Sequence, residues 1–210
     1  AFRPLIGPPF GARMQRRVVA LLSPLMPGTG GTLRYRTHAH RVPVEVVAPK
    51  RGDTGGAILY LHGVRWNLTG QLFRIEQLRA AGYSVLAIDY RGFGQSKGDL
   101  PSEGSVYEDA RVAWERFKLL QPDPNKRLIY GHSLGGAVAV DLAAELGQDA
   151  ARDKTPLPVR GLVIESTFTS LADVAAAVAN TSLPVRWLLS QKFDSIDKIA
   201  DIHMPLLVVH

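Results

Sequence analysis

The pentapeptide Gly131-His132-Ser133-Leu134-Gly135 stands between an apolar run, Leu128-Ile129-Tyr130, and a stretch of small and apolar residues, Gly136-Ala137-Val138-Ala139-Val140. This order reads as a strand, a sharp turn and a helix, with a serine at the apex. Glycines flanking the turn remove Cβ atoms that would collide as the chain reverses, so the hydroxyl stands clear of both elements. The amide of Leu134 then points at the same spot. A nucleophilic serine needs that arrangement, whereas an exposed Gly-x-Ser-x-Gly turn without a catalytic role is the alternative, and the neighbouring segments decide between them.

Those segments alternate. Residues 33–48 are loosely alternating and β-prone, which predicts an antiparallel hairpin closed by a turn over 52–56. Strands are expected at 57–61, 84–89, 127–130, 161–164 and 205–209, and helices at 69–81, 105–120, 133–146 and 170–179, with a short one at 195–201. In the second helix Val106, Ala110, Ala113, Trp114, Phe117 and Leu120 recur at helical spacing, leaving Glu108, Arg111, Glu115 and Lys118 for solvent. Ser105 with Glu108, and Ser170 with Asp173, read as capping boxes. Gln148 to Pro158 reads as a charged, proline-containing loop. Strand and helix in alternation argue for a mostly parallel sheet with helices on both faces.

Composition bounds the chemistry. At 210 residues and 46% hydrophobic content the chain can bury one substantial core. Cysteine is absent, which excludes disulfides, thiolate metal sites and a cysteine nucleophile. The net charge of +6 is unevenly spread, with eight Arg or Lys against one Glu in residues 1–50. That segment is either a solvated arginine-rich arm or a surface for anionic membrane. Basic positions without interleaved aromatic residues argue against nucleic acid as a partner. No apolar stretch has the length of a membrane span and no leader resembles a signal peptide, although the chain begins with Ala1 and a targeting or anchoring segment before it stays an open reading.

Four segments together carry a family resemblance: Leu59-Tyr60-Leu61-His62-Gly63, Asp89-Tyr90-Arg91-Gly92-Phe93-Gly94-Gln95-Ser96, the serine turn, and Glu165-Ser166-Thr167-Phe168-Thr169-Ser170. In this order and spacing, with the later Phe193 to Ile199 and Pro205 to His210, the sequence resembles the α/β-hydrolase superfamily, and within it the Bem46-like and ABHD-type serine hydrolases. The resemblance covers residues 31–210 as one α/β-hydrolase domain with a small lid, after an irregular basic lead-in over 1–30. It implies that Ser133 attacks an acyl carbonyl to form an acyl-enzyme, which water then hydrolyses. The backbone N–H groups of Val64 and Leu134 would form the oxyanion hole, and Gly63, Gly131 and Gly135 would support the turns.

The substrate class so implied is a carboxylic ester or acyl thioester, small or protein-borne, with a peptidase or amidase, or a non-catalytic binding protein of the same fold, as alternatives. The Met14 to Arg17 stretch resembles the region after an N-terminal anchor in this branch, and Trp187 in the lid segment reads as pocket wall or core filler. In the family the catalytic acid and histidine follow the strand that ends at His210, so the C-terminal strand and helix are expected to be missing from these residues. Glu165 is the in-chain alternative for the acid.

The histidines have other readings. His62 is expected to hold the oxyanion loop by hydrogen bonding rather than act as general base. His132 is expected to pack beside the site or line the acyl pocket. His38, His40 and His203 read as solvated or locally bonded. The glycines of Asp89 to Gly94 lack the lysine-serine/threonine ending of a phosphate loop, so this segment reads as a structural turn in which Asp89 and Arg91 pair or cap backbone. No cofactor or metal is implied. Oligomeric state and compartment are not legible.

Overall fold

The computed structural model describes residues 33–36, 41–47, 54–65, 67–94, 96, 100–179 and 190–210. Among the described residues seven strands form one sheet: β1 (Leu33–Arg36), β2 (Arg41–Val47), β3 (Ala57–Leu61), β4 (Ser84–Ile88), β5 (Arg127–His132), β6 (Gly161–Glu165) and β7 (Leu206–Val209), in the order β1-β2-β4-β3-β5-β6-β7. The expected hairpin of β1 and β2 is antiparallel and joins β4 antiparallel, while β4, β3, β5, β6 and β7 run parallel. From β3 the chain steps to β4 on one side, then returns past β3 to β5 on the other. In such a sheet the crevice beyond the carboxyl ends of the strands at this reversal is where ligands bind.

Among the described residues four helices cover the two faces: α1 (Leu72–Ala80), α2 (Glu103–Leu120), α3 (Leu134–Asp153) and α4 (Leu171–Ala179). All five residues of β3 are buried, because alternate side chains enter different cores. Leu59 and Leu61 join Leu86, Ile129 and the inner stripes of α2 and α3, including Trp114, Phe117 and Val138. Ile58 and Tyr60 join Val85, Ala87 and Ile75 of α1.

The structure corrects several expected boundaries. The first helix is α1 preceded by a 3-10 turn, Leu68–Gln71, whose first turn Asn67 caps by accepting from Thr69 N. Helix α2 starts at Glu103, because Ser102 rather than Ser105 is the N-cap; Ser105 supplies the reciprocal bond that was assigned to Glu108. Helix α3 runs on to Asp153, seven residues past its expected end, and stops at Lys154 in the left-handed region with φ 54°. Within it a Cβ on Gly147 would meet Asp201 O at 2.3 Å, so the missing side chain lets residues 199–201 approach the helix. The short helix expected at 195–201 is only the 3-10 turn Ile199–Asp201. The lead-in over 1–30 with Met14 to Arg17, His38 and His40, and the lid segment with Trp187 lie outside the described residues.

Candidate active site

Ser133 sits between β5 and α3 with φ 54° and ψ −120°, a conformation costly for a residue with a side chain. Close packing enforces it. A Cβ on Gly131 would lie 2.2 Å from Gly135 O, and one on Gly135 would lie 2.0 Å from Leu61 O, so the turn closes directly onto itself and onto β3. Ser133 N–H donates to Glu165 O at 2.9 Å, and Ser133 O accepts from Gly136 N and from Thr167 Oγ1, each at 2.9 Å. The turn is thus held from β6 and from the loop after it.

Ser133 itself is half-buried. The loop after β3 abuts it: a Cβ on Gly63 would lie 2.9 Å from Ser133 Cβ. Val64, the next residue, is 58% exposed. Leu134 begins α3, so its N–H has no intrahelical acceptor, and the partial positive charge of the helix N-terminus falls at Ser133. Among the described residues neither the Val64 nor the Leu134 amide donates elsewhere. These are the two amides to which the resemblance assigns the oxyanion hole.

His62 is completely buried, with Nδ1 2.7 Å from Gly63 O and Nε2 3.4 Å from Asp89 Oδ1. Its ring packs against Tyr90 at 4.7 Å and Phe93 at 5.3 Å. The imidazole is thereby directed at the loop and at Asp89. Asp89 Oδ1 also accepts from Leu68 N at 2.8 Å and its carbonyl from Ser96 Oγ at 2.5 Å, which caps loop backbone. Arg91 does not pair with Asp89; its partners are Asp109 and Glu108 of α2.

His132 is opposite Glu165 in the β5–β6 register. Burial, then the nearby Arg74 cation, lowers its pKa and keeps the ring neutral at neutral pH. Among the described residues its buried Nδ1 has no hydrogen-bond partner. Glu165 itself is engaged on both oxygens, by Arg74 Nε and Nη2 at 2.8 Å each and by Tyr130 Oη at 2.6 Å. Arg74's hydrogen bonds, followed by Tyr130's, hold its carboxyl below the usual range. Arg74, Tyr130 and Thr167 were not picked out in the sequence; a carboxylate ending the apolar strand Gly161–Glu165 was the available signal. Among the described residues no group of three or more His, Cys, Asp or Glu is placed to hold a metal ion.

The family model described as "Serine aminopeptidase, S33" matches residues 52–210. The chain belongs to this family of α/β hydrolases. It is 38% identical over 159 residues to an uncharacterised Mycobacterium tuberculosis protein, covering 75% of this chain and 52% of that one. It is 33% identical over 169 residues to the lysophosphatidylserine lipase ABHD12 of Xenopus tropicalis, covering 73% and 41%. The chain thus spans about half the length of the curated relatives it matches. Its fold is that of an alpha-beta hydrolase from Vibrio vulnificus, with a TM-score of 0.70, 23% identity and coverage of 98% of this chain and 70% of that one. A monoglyceride lipase from Saccharomyces cerevisiae has a TM-score of 0.57 at 15% identity, covering 90% and 78%. Among the described residues no helix is long and apolar enough to cross a membrane.

Proposed function

We propose that this chain carries the nucleophile and oxyanion hole of a serine hydrolase that cleaves carboxylic esters or acyl thioesters. The observation that carries the reading is the strained Ser133 at the N-terminus of α3, packed against Gly63 and beside unengaged amides. Ser133 Oγ adds to the acyl carbonyl, and the Val64 and Leu134 N–H groups receive the negative oxygen. Collapse expels the alcohol or thiol and leaves an acyl-enzyme; water adds to it and releases the acid. Both donors are main chain, so the conformation of residues 62–65 matters more than their polarity. Two relatives named as lipases support an acyl ester as substrate. The basic residues 1–50 support approach to an anionic membrane surface.

The hydroxyl proton must pass to a base. His62 faces Gly63 O and Asp89, and His132 forms no bond to Ser133 among the described residues, so neither is assigned that role. Labelling of the full-length protein with a fluorophosphonate tests the proposal, with Ser133→Ala as control. Covalent modification that maps to Ser133 and vanishes in the variant supports it; labelling that persists in the variant removes it. The family model's description favours a second reading, a peptidase. Faster turnover of an amino-acyl p-nitroanilide than of p-nitrophenyl esters selects that reading, and a folded protein inert to both probes is a binding protein.

A further inference from the structure

Two hydrogen-bonded groups on the sheet face covered by α1, in contact through the rings of Tyr60 and Tyr130, reach the loop after β3 and the serine turn. Tyr60 Oη donates to Gln71 Oε1 at 2.9 Å, and Gln71 Nε2 donates to Arg65 O at 3.3 Å, the carbonyl one residue after Val64. The Tyr60 ring lies 5.6 Å from that of Tyr130, whose hydroxyl donates to Glu165. Arg74 of α1, three residues after Gln71, makes two parallel bonds to the same carboxylate. The Glu165 carbonyl in turn holds Ser133 N–H, one residue before Leu134.

Helix α1 packs over β3 and β4, yet through Arg74 it grips the end of β6, two strands beyond β3 in the sheet. A bidentate guanidinium–carboxylate pair fixes direction as well as distance. Its side chains are 30% and 19% exposed, so its contribution to global stability is modest. Alignment is a different matter, because an error of about 1 Å in the reacting geometry costs up to roughly a hundredfold in rate.

We infer that Arg74 and Glu165 are positioning residues: their ion pair holds the loop carrying the Val64 amide in register with the turn carrying Ser133 and Leu134. The inference rests on the proposed role of Ser133.

The test uses the full-length protein with Arg74→Lys, Arg74→Met and Glu165→Gln, and with Arg111→Gln, which removes a surface pair to Glu145, as control. Two readouts apply: kcat and KM on an oxygen ester and its thiono counterpart, and amide hydrogen exchange over residues 63–65 and 133–134. Sulfur is a poor hydrogen-bond acceptor, so the oxygen-over-thiono preference reports the oxyanion hole. Arg74→Met is expected to lower kcat about ten- to a hundredfold with little change in KM, narrow that preference and accelerate exchange in both segments. Arg74→Lys, which keeps charge but loses the fork, falls between; Arg111→Gln matches the wild type. A wild-type preference and wild-type exchange in the folded Arg74 and Glu165 variants overturn the inference, even if their melting temperature falls. If the wild type hydrolyses no ester and Ser133→Ala changes nothing, the proposed function has failed, and unchanged exchange then overturns the positioning role separately.

Discussion

Asp109, wholly buried in α2, accepts the backbone N–H of Arg91 at 2.8 Å and the Nε and Nη2 of its guanidinium at 3.0 and 2.6 Å. The loop after β4, which also presents Asp89 and Phe93 to His62, is anchored there. Asp109→Ala leaves the Arg91 amide without its acceptor and the guanidinium with Glu108 alone, and is expected to cost about 3 kcal/mol. Urea unfolding checks it; a loss under about 1 kcal/mol contradicts the anchoring role.

Glu165 makes acid stability specific. Its folded pKa lies below the unfolded value because of Arg74 and Tyr130, so in acid the unfolded chain binds the proton first. The stabilisation is complete above the ordinary carboxylate range and is lost as pH falls through the depressed folded value. For a partly exposed pair it amounts to about 1 kcal/mol. Glu165→Gln should lower stability at neutral pH by that amount and converge with the wild type in acid, as read from unfolding midpoints across the pH series.

His62→Phe keeps an aromatic ring against Tyr90 and Phe93 while removing both nitrogens. Fluorophosphonate labelling is expected to slow about tenfold or more as the Gly63 carbonyl loses its tether, with a small change in melting temperature. Wild-type labelling would show that the loop holds its shape unaided.

Gly135→Ala places a methyl group where Leu61 O already lies. Neighbouring backbone has to move, at a cost of about 1–3 kcal/mol. Unfolding midpoint and labelling rate should fall together.

The strands were readable because each is a short apolar run bounded by turn residues, and the serine turn because its glycines are adjacent in sequence. Residues joined only by folding were not. Arg74 and Glu165 are 91 positions apart, and nothing near either names the other. Asp109 lies between the apolar positions of α2 and reads as surface until the loop after β4 delivers Arg91 to it. The end of α3 was expected seven residues early, short of the stretch where Gly147 lets Asp201 O approach the helix. Local pattern thus marked the serine turn, while the contacts that hold it became visible only with the sheet assembled.

The backbone of Ser133 has a last consequence. At φ 54° glycine pays no steric penalty, so Ser133→Gly should make the fold more robust, by about 1 kcal/mol or more, while deleting the hydroxyl. Under the proposed function, selection for durability and selection for chemistry pull in opposite directions at this residue. A lineage that relinquished catalysis would be free to drift toward glycine there and grow hardier for it.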